Sequence, residues 1–311
     1  MEQQKNTVAV MMSTYNGAPY LEEQILSILR QSAVEVRLFI RDDGSADDTV
    51  HILERYASHA QVTVKCGANL GIGRSFMELL YSVPEDCDYY AFSDQDDIWA
   101  DDKLITAIEC LRAESGCALY ASNLLCVDAE NHELAPRFAP GETVSASLLS
   151  EINQNKCYGC TQVFNRELFL LLRGRKPSEE LLRLRLHDTW AAVSAAAAGK
   201  IIYDRRPHIR YRRHSGNYSN FNIGKAALWK SWFYKLFHPA LRNLRSKTAR
   251  EVIRQYPDCV KNDPDRELID ALADPASLAN KAVLIRHRKR FADITKESKL
   301  LFTVRIIAGL I

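Results

Sequence analysis

Several signatures that would settle a function at once are missing from this 311-residue chain. No G-x-G-x-x-G and no G-x-x-x-x-G-K-[ST] follows any apolar run, which removes the dinucleotide fingerprint and the Walker loop. No apolar run reaches the roughly eighteen residues that a membrane span requires. The eight cysteines are scattered. Cys157-Tyr158-Gly159-Cys160 is a single C-x-x-C without a second pair or a His-x-x-x-His partner, so its spacing argues against structural zinc. Thiols used this way suit a reducing, cytosolic compartment. Residues Met1 to Asn6 are polar and run straight into the first apolar segment, so no secretory leader is expected. The sharpest local deficit is of acid: between Arg205 and Arg250 there is no Asp or Glu among twelve Lys or Arg, although the whole chain carries a formal charge of only +2.

What is present is an alternation of short apolar runs and amphipathic segments. Thr7–Thr14 reads as a buried strand, and Pro19 suits the first turn of a helix whose apolar face is Leu21, Ile25, Ile28 and Leu29. Val36–Ile40 is a second strand, and Val50, Leu53, Tyr56 and Ala57 mark the next helix. Ser45 with Asp48 resembles a capping box at its start. Val62–Val64 is a third strand, and a helix over Phe76, Leu79, Leu80 and Val83 leads into the apolar run Tyr89–Phe92. Strand and helix alternating over connections of a few residues imply a mostly parallel sheet with right-handed crossovers. Further on, Leu104–Leu111 reads as helix, Ala118–Ala121 as strand and Glu130–Thr143 as loop. Val163–Asn165 is a short strand and Glu167–Leu172 a helix. The basic stretch Arg173–Arg185 reads as a mobile loop, and an alanine-rich helix opens at His187-Asp188. Ile201–Tyr203 and Ile209–Tyr211 read as two short strands.

Acids gather where these strands end. The run Asp88–Phe92 terminates in Ser93-Asp94-Gln95-Asp96-Asp97-Ile98-Trp99, with three carboxylates in four positions. Crowded carboxylates repel unless they share a cation, so Asp94-Gln95-Asp96 suits a divalent metal held by hard oxygen ligands. A solvated acidic turn is the plainer alternative. The second strand ends in Asp42-Asp43-Gly44-Ser45, where a carboxylate is placed to accept the N3–H of uracil or thymine; a turn with a helix cap accounts for the same residues. Asp188, near a helix start, is either an N-cap or a catalytic carboxylate.

Leu228, Trp229, Trp232, Phe233, Leu236 and Phe237 fall on one helical face within the acid-free stretch. A basic helix with tryptophans on its apolar face fits an anionic leaflet, and equally a helix docked on protein. No recognised motif directs this charge to nucleic acid. The apolar tail Leu300–Ile311 is too short to span a bilayer; it has the pattern to lie in the interface, pack on the core or join two subunits.

In order along the chain, Thr14-Tyr15-Asn16-Gly17, Asp42-Asp43-Gly44-Ser45, Asn69-Leu70-Gly71, Ser93–Trp99, Gly159-Cys160-Thr161, His187-Asp188 and Arg213-His214 resemble the inverting glycosyltransferases of family 2. The Asp-Gln-Asp-Asp-Ile-Trp form with His187-Asp188-Thr189-Trp190 is most similar to bacterial polysaccharide rhamnosyltransferases. The resemblance covers about residues 7 to 220. It implies an α/β, GT-A nucleotide-diphospho-sugar transferase fold, with a Rossmann-like mostly parallel sheet in residues 1–220 and a helical C-terminal extension in 221–311.

The resemblance also implies roles. Thr14, Tyr15 and Asn16 would shape the nucleotide pocket together with Asn69 and Gly71, and Asp42 and Asp43 would read the base. Arg74 would approach the diphosphate, Asp94 and Gln95 would meet the ribose or sugar, and Asp96 with His214 would hold Mg²⁺ or Mn²⁺. Asp188 would be the general base, and Trp99, Gly159, Cys160, Thr161, His187 and Trp190 would lie on the acceptor side. Asp97 is left as a cap for the helix near Lys103. The donor implied is dTDP-rhamnose, with a UDP-sugar as the alternative. The acceptor implied is a saccharide in O antigen-type polysaccharide synthesis, and the basic, tryptophan-bearing helix makes a lipid-linked one at the cytoplasmic face of the membrane the expectation. Peripheral membrane contact and a homodimer are also expected. The Q-x-x-R-W motif of processive synthases is absent, which favours single-sugar transfer. A nucleotidyltransferase would want a glycine- and arginine-rich loop after the first strand, and a phosphohydrolase a D-x-D there; neither is found. A degenerate transferase serving as a scaffold remains the non-enzymatic alternative.

Overall fold

A computed structural model describes residues 5–142, 144–184, 187–214, 216 and 243–311. The first half winds β1 (Asn6–Thr14), α1 (Ala18–Leu29), β2 (Val34–Asp42), α2 (Thr49–Tyr56), β3 (Val62–Cys66), α3 (Ile72–Ser82) and β4 (Tyr89–Ser93) into a parallel unit. Next come β5 (Ile98–Trp99), α4 (Lys103–Leu111), β6 (Cys117–Val127), β7 (Glu133–Pro136), α5 (Leu148–Asn153) and a 3₁₀ turn (Gly159–Thr161). They are followed by β8 (Val163–Asn165), α6 (Arg166–Gly174), α7 (Glu179–Leu184), α8 (His187–Ala198) and β9 (Gly199–Arg212). The C-terminal region adds α9 (Leu244–Gln255), α10 (Pro257–Lys261), α11 (Arg266–Ala273), α12 (Leu278–Arg286), α13 (Arg288–Thr295) and α14 (Lys299–Ile307).

The sheet runs β3-β2-β1-β4-β8-β6-β9-β5, with β7 on β6. Its register places the site. Thr14 lies opposite Asp42 across β1 and β2, and Met12 opposite Ser93 across β1 and β4. Three strand ends therefore reach one edge, where open α/β sheets take their ligands. In β1, Val8, Val10 and Met12 pack with α1 and α4, while Ala9 and Met11 pack with α3, α6 and α8. That two-residue alternation buries both faces, which is why the strand reads as a continuous apolar run. Each fully buried valine there contributes roughly 1.5–3 kcal/mol relative to exposure.

Several expectations change. Residues 173–184 are largely helix, the end of α6 and then α7, whose Glu179 pairs with Arg74 and whose Leu181 and Leu182 are buried. The two short strands expected near 201 and 209 are one strand, β9, because β6 runs alongside nearly all of it, with register shifts around Asn123. The loop after Glu130 contains β7. The capping box does not form: α2 starts at Thr49 behind Asp48, and Ser45 Oγ donates instead to Asp42 Oδ1 at 2.6 Å. Asp97 does not cap α4, whose N-cap is Asp102.

The C-terminal helices share the α3/α6/α8 core through Val252, Tyr256, Ile269, Phe291, Phe302 and Ile306. Tyr256 Oη donates to Ser194 Oγ at 2.8 Å. The tail thus packs on the core with one face, leaving Leu300, Val304 and Ile307 exposed. The basic helix with Trp229 and Trp232 lies outside the described residues. No described helix is long and apolar enough to cross a membrane.

Candidate active site

A cleft of about 430 Å³ opens at the carboxyl edge of β1, β2 and β4. One end is built from Ser13, Thr14, Tyr15, Asp43, Asn69 and Gly71. Asp43 is buried there, paired with the equally buried Arg41 guanidinium, and its oxygens accept the Leu70 N–H at 2.8 Å and the Gly71 N–H at 2.9 Å. Arg41 also donates to Ser75 Oγ at 3.0 Å and to the Ala68 carbonyl at 2.9 Å. Asp42 turns the other way. It accepts from Thr14 Oγ1 at 2.9 Å and from the Gly44 and Ser45 N–H groups, making the turn itself. Gly44 sits at φ +82°, and a Cβ there would come within 3.2 Å of the Asn69 nitrogen, so the turn requires glycine.

The middle is the acidic turn after β4. Gln95 clasps the backbone of Tyr15, the residue just after β1: its Oε1 accepts the Tyr15 N–H at 2.8 Å and its Nε2 donates to the Tyr15 carbonyl at 3.0 Å. Asp96 Oδ2 faces His214 Nε2 at 2.9 Å. Arg212 braces the turn by donating its N–H to Asp97 Oδ1 and its Nε to the Asp96 carbonyl, each at 3.2 Å. Burial and the neighbouring Asp96 and Asp188 carboxylates push Asp94 up to about 7. Asp97 is raised by burial, then by Asp96 and Asp94. Oxygens of Asp94 and Asp97 and Cys160 Sγ lie within 4.8 Å of one another. A cleft that gathers this much carboxylate beside an imidazole has donors of the type a hard divalent cation takes, Asp96 and His214 among them.

The far end is the start of α8 against the 3₁₀ turn. Asp188 Oδ2 accepts Asn155 Nδ2 at 2.9 Å and the Gly159 N–H at 3.2 Å. Asn155 also donates to Thr189 Oγ1 at 3.2 Å, and its Oδ1 accepts the Cys157 N–H at 2.9 Å. His187, 3 % exposed, stacks on Phe76 with ring centroids 3.7 Å apart and meets Phe92 edge-on at 4.6 Å. Burial pushes it down to about 3, so the ring is neutral at physiological pH. Ile72, Phe76, Tyr158, Gly159, Cys160, Tyr211 and Gly216 complete the lining.

Among the expected residues, Thr14, Tyr15, Asp43, Asn69, Gly71, Asp94, Gln95, Asp96, Gly159, Cys160, His187 and Asp188 meet in this one cleft. Others stand elsewhere. Trp99 is fully buried beneath the Lys103 ammonium, 3.6 Å from the ring, and Trp190 is 2 % exposed with its indole N–H on the Arg175 carbonyl. Both are core residues, so the expectation of acceptor contact is corrected for them. Thr161 is buried and bonded to the Tyr158 carbonyl at 2.7 Å. Arg74 is paired with Glu179 rather than aimed at the cleft, and Asn16 caps the Ala46 N–H at 2.8 Å. Asn155, Arg41, Phe76, Ile72 and Tyr211 were not foreseen. For Arg41 a signal existed: Arg41 and Asp43 are two apart at a strand end, hence on one face. For Asn155 none did, since its partner is 33 residues away.

The fold is that of nucleotide-sugar transferases. The chain superposes on the S. aureus TarS 1–349 structure in complex with UDP at TM-score 0.58 and 17% identity, covering 98% of this chain and 83% of that one. It also superposes on the mannosyltransferase PcManGT of Pyrobaculum calidifontis, a complex with GDP-Man and Mn²⁺, at TM-score 0.51 and 16% identity, covering 99% and 81%. Residues 9–170 match the model for glycosyl transferase family 2. The dTDP-rhamnosyl transferase RfbG of Shigella flexneri is 31% identical over 264 residues, 81% of this chain and 85% of that protein. The chain belongs to glycosyltransferase family 2.

Proposed function

We propose that the protein transfers one rhamnosyl unit from dTDP-rhamnose to a saccharide acceptor, lipid-linked, with inversion at the anomeric carbon, in cell-surface polysaccharide synthesis of the O antigen type. The likeness to RfbG favours this donor over a UDP-hexose. The observation that carries the reading is the placement of Asp188 in the same cleft as the Asp94-Gln95-Asp96 turn, with its carboxylate held by Asn155 and Gly159.

The chemistry follows from these positions. The β1/β2 end takes the nucleoside, with Asp43 held rigid by Arg41 and available at the cleft wall. Asp188 accepts the proton of the attacking acceptor hydroxyl while that oxygen bonds to the anomeric carbon and the nucleoside diphosphate departs from the opposite face. General-base help of this kind contributes about 10²–10⁴-fold. A Mg²⁺ or Mn²⁺ held by Asp96 and His214 would supply charge neutralisation for the departing diphosphate. The enzyme would work in the cytoplasm, peripherally on the inner membrane face. Support for that is compositional: the acid-free stretch from Arg205 to Arg250 and the tryptophans within it. A homodimer is compatible with the exposed face of α14.

The test is a thermal-shift screen of nucleotide sugars with and without Mn²⁺, since a ligand that binds the folded state raises stability by RT ln(1 + [L]/Kd). Stabilisation by dTDP-rhamnose that needs the metal is expected, and turnover with a saccharide acceptor should follow. In Asp188→Asn, transfer should fall about 10²–10⁴-fold while nucleotide binding persists. Retained turnover in that variant would remove Asp188 as the base, and preference for UDP-sugars would move the donor.

A further inference from the structure

The cleft contains one buried polar side chain that the mechanism above does not use. Both ring nitrogens of His187 are buried and have no hydrogen-bond partner among the described residues. A buried nitrogen left so costs on the order of 1–3 kcal/mol, which the fold tolerates although His187 is wedged into an aromatic stack that fixes its ring plane. An ordinary core position would take phenylalanine here. The ring also lines the cleft, and Gly159 leaves Nε2 with no side chain packed over it: a Cβ at that position would stand 3.1 Å from His187 Nε2. A neutral imidazole offers one N–H donor and one acceptor nitrogen, the complement of an alcohol, which both gives and takes a hydrogen bond.

Its place within the cleft says which alcohol. His187 packs against Phe76 of α3 and Phe92 of β4, between the nucleoside end near Gly71 and the Asp188 carboxylate next along the chain. The group that must lie between the nucleoside and the base is the sugar being transferred. The geometry points to His187 as the residue that recognises a ring hydroxyl of the donor sugar, with Ile72 and Phe76 beside it forming an apolar contact suited to a deoxy position. This rests on the transferase reading above. A site built to hydrogen-bond a hydroxyl discriminates strongly, because a group that cannot pair leaves the buried nitrogen stranded.

The experiment compares binding of the nucleotide sugar with binding of the bare nucleoside diphosphate by calorimetry, for the wild type, His187→Phe and His187→Gln. Whichever donor the wild type turns over is used, dTDP-rhamnose first and UDP-glucose second, so the wild-type arm alone reports on the transferase reading. His187→Phe keeps the stacking and removes both nitrogens. It should weaken the nucleotide sugar about tenfold or more and leave the diphosphate within about twofold. His187→Gln restores a donor and an acceptor and should recover most of the loss. The inference is overturned if His187→Phe binds the nucleotide sugar like the wild type, if sugar and diphosphate weaken together, if only the acceptor KM moves, or if Gln is no better than Phe. Matching melting temperatures for Phe and wild type keep a folding defect from imitating the expected result.

Discussion

The two ends of the cleft are built on opposite principles. At the nucleoside end every named charge is answered: Asp43 by Arg41 and two backbone N–H groups, Asp42 by Thr14 and its own turn. At the proposed transfer end, Asp94 and Asp97 are pushed up by burial first and then by neighbouring carboxylates, Asp96 foremost, and both ring nitrogens of His187 lack partners among the described residues. A wall whose charges are paired before anything binds is suited to reading shape with little rearrangement. A wall of crowded, buried carboxylates and stranded nitrogen is suited to being completed by what it binds, which in the proposed reaction would be a divalent cation and a sugar. On the proposed function, the difference separates recognition from chemistry within a cleft of about 430 Å³.

The comparison breaks most severely at Asp43. Replacing it with Ala leaves the Arg41 guanidinium buried and unanswered, together with the Leu70 and Gly71 N–H groups. Breaking a buried pair from one side costs about 3–5 kcal/mol, so denaturant unfolding of Asp43→Ala should show a loss of that size, with nucleotide binding abolished. Asp94→Ala relieves repulsion at the other end, and should leave stability unchanged or raise it in metal-free buffer. If both variants lose stability equally, the two ends are not different in kind.

Next is Asn155. Its amide donates to Asp188 and Thr189, and its carbonyl fixes Cys157, so one side chain ties Asp188, the proposed base, to the segment that leads into the 3₁₀ turn. A hydrogen bond to a carboxylate favours the charged form, so removing it raises the Asp188 pKa. In Asn155→Ala the acidic limb of the kcat/KM profile should therefore move to higher pH, with activity at neutral pH down about tenfold. An unshifted limb with lowered activity would make Asn155 a structural tie and nothing more.

What the sequence conveys follows the same division. β1, β2 and β4 are legible as apolar runs ending in acids because both faces of a parallel sheet are buried and the ligand edge follows at once. His187-Asp188 is legible only as a motif. Asn155, Phe76 and Ile72 become site residues through contacts made far along the chain, and α3 reads simply as amphipathic. Trp99 and Trp190 show the converse: they belong to the motifs yet serve the core beneath it. Proximity in sequence to Asp96 and Asp188 carried no information about which way their rings point.

The smallest effect expected is at the joint between the two ends. Gln95 makes a two-way clasp with the Tyr15 backbone, and so ties the strand that shapes the nucleoside wall to the turn that carries Asp94 and Asp96. Its amide packs directly over Gly17, where a Cβ would fall 2.2 Å from Gln95 Oε1. Neither hydrogen bond is deeply buried, so in Gln95→Ala water can replace both and stability should change by no more than about 1 kcal/mol. What is lost is alignment. In the proposed reaction the donor would reach across this joint, so loosening the clasp should raise the donor KM several-fold with kcat nearly unchanged. Gly17→Ala approaches the same joint from the other side, displacing the Gln95 amide without removing it. Similar donor KM increases in the two variants, without additivity in the double variant, would establish the clasp as one unit. Full additivity would mean that Gly17 and Gln95 act separately, and that the two ends are aligned by the sheet alone.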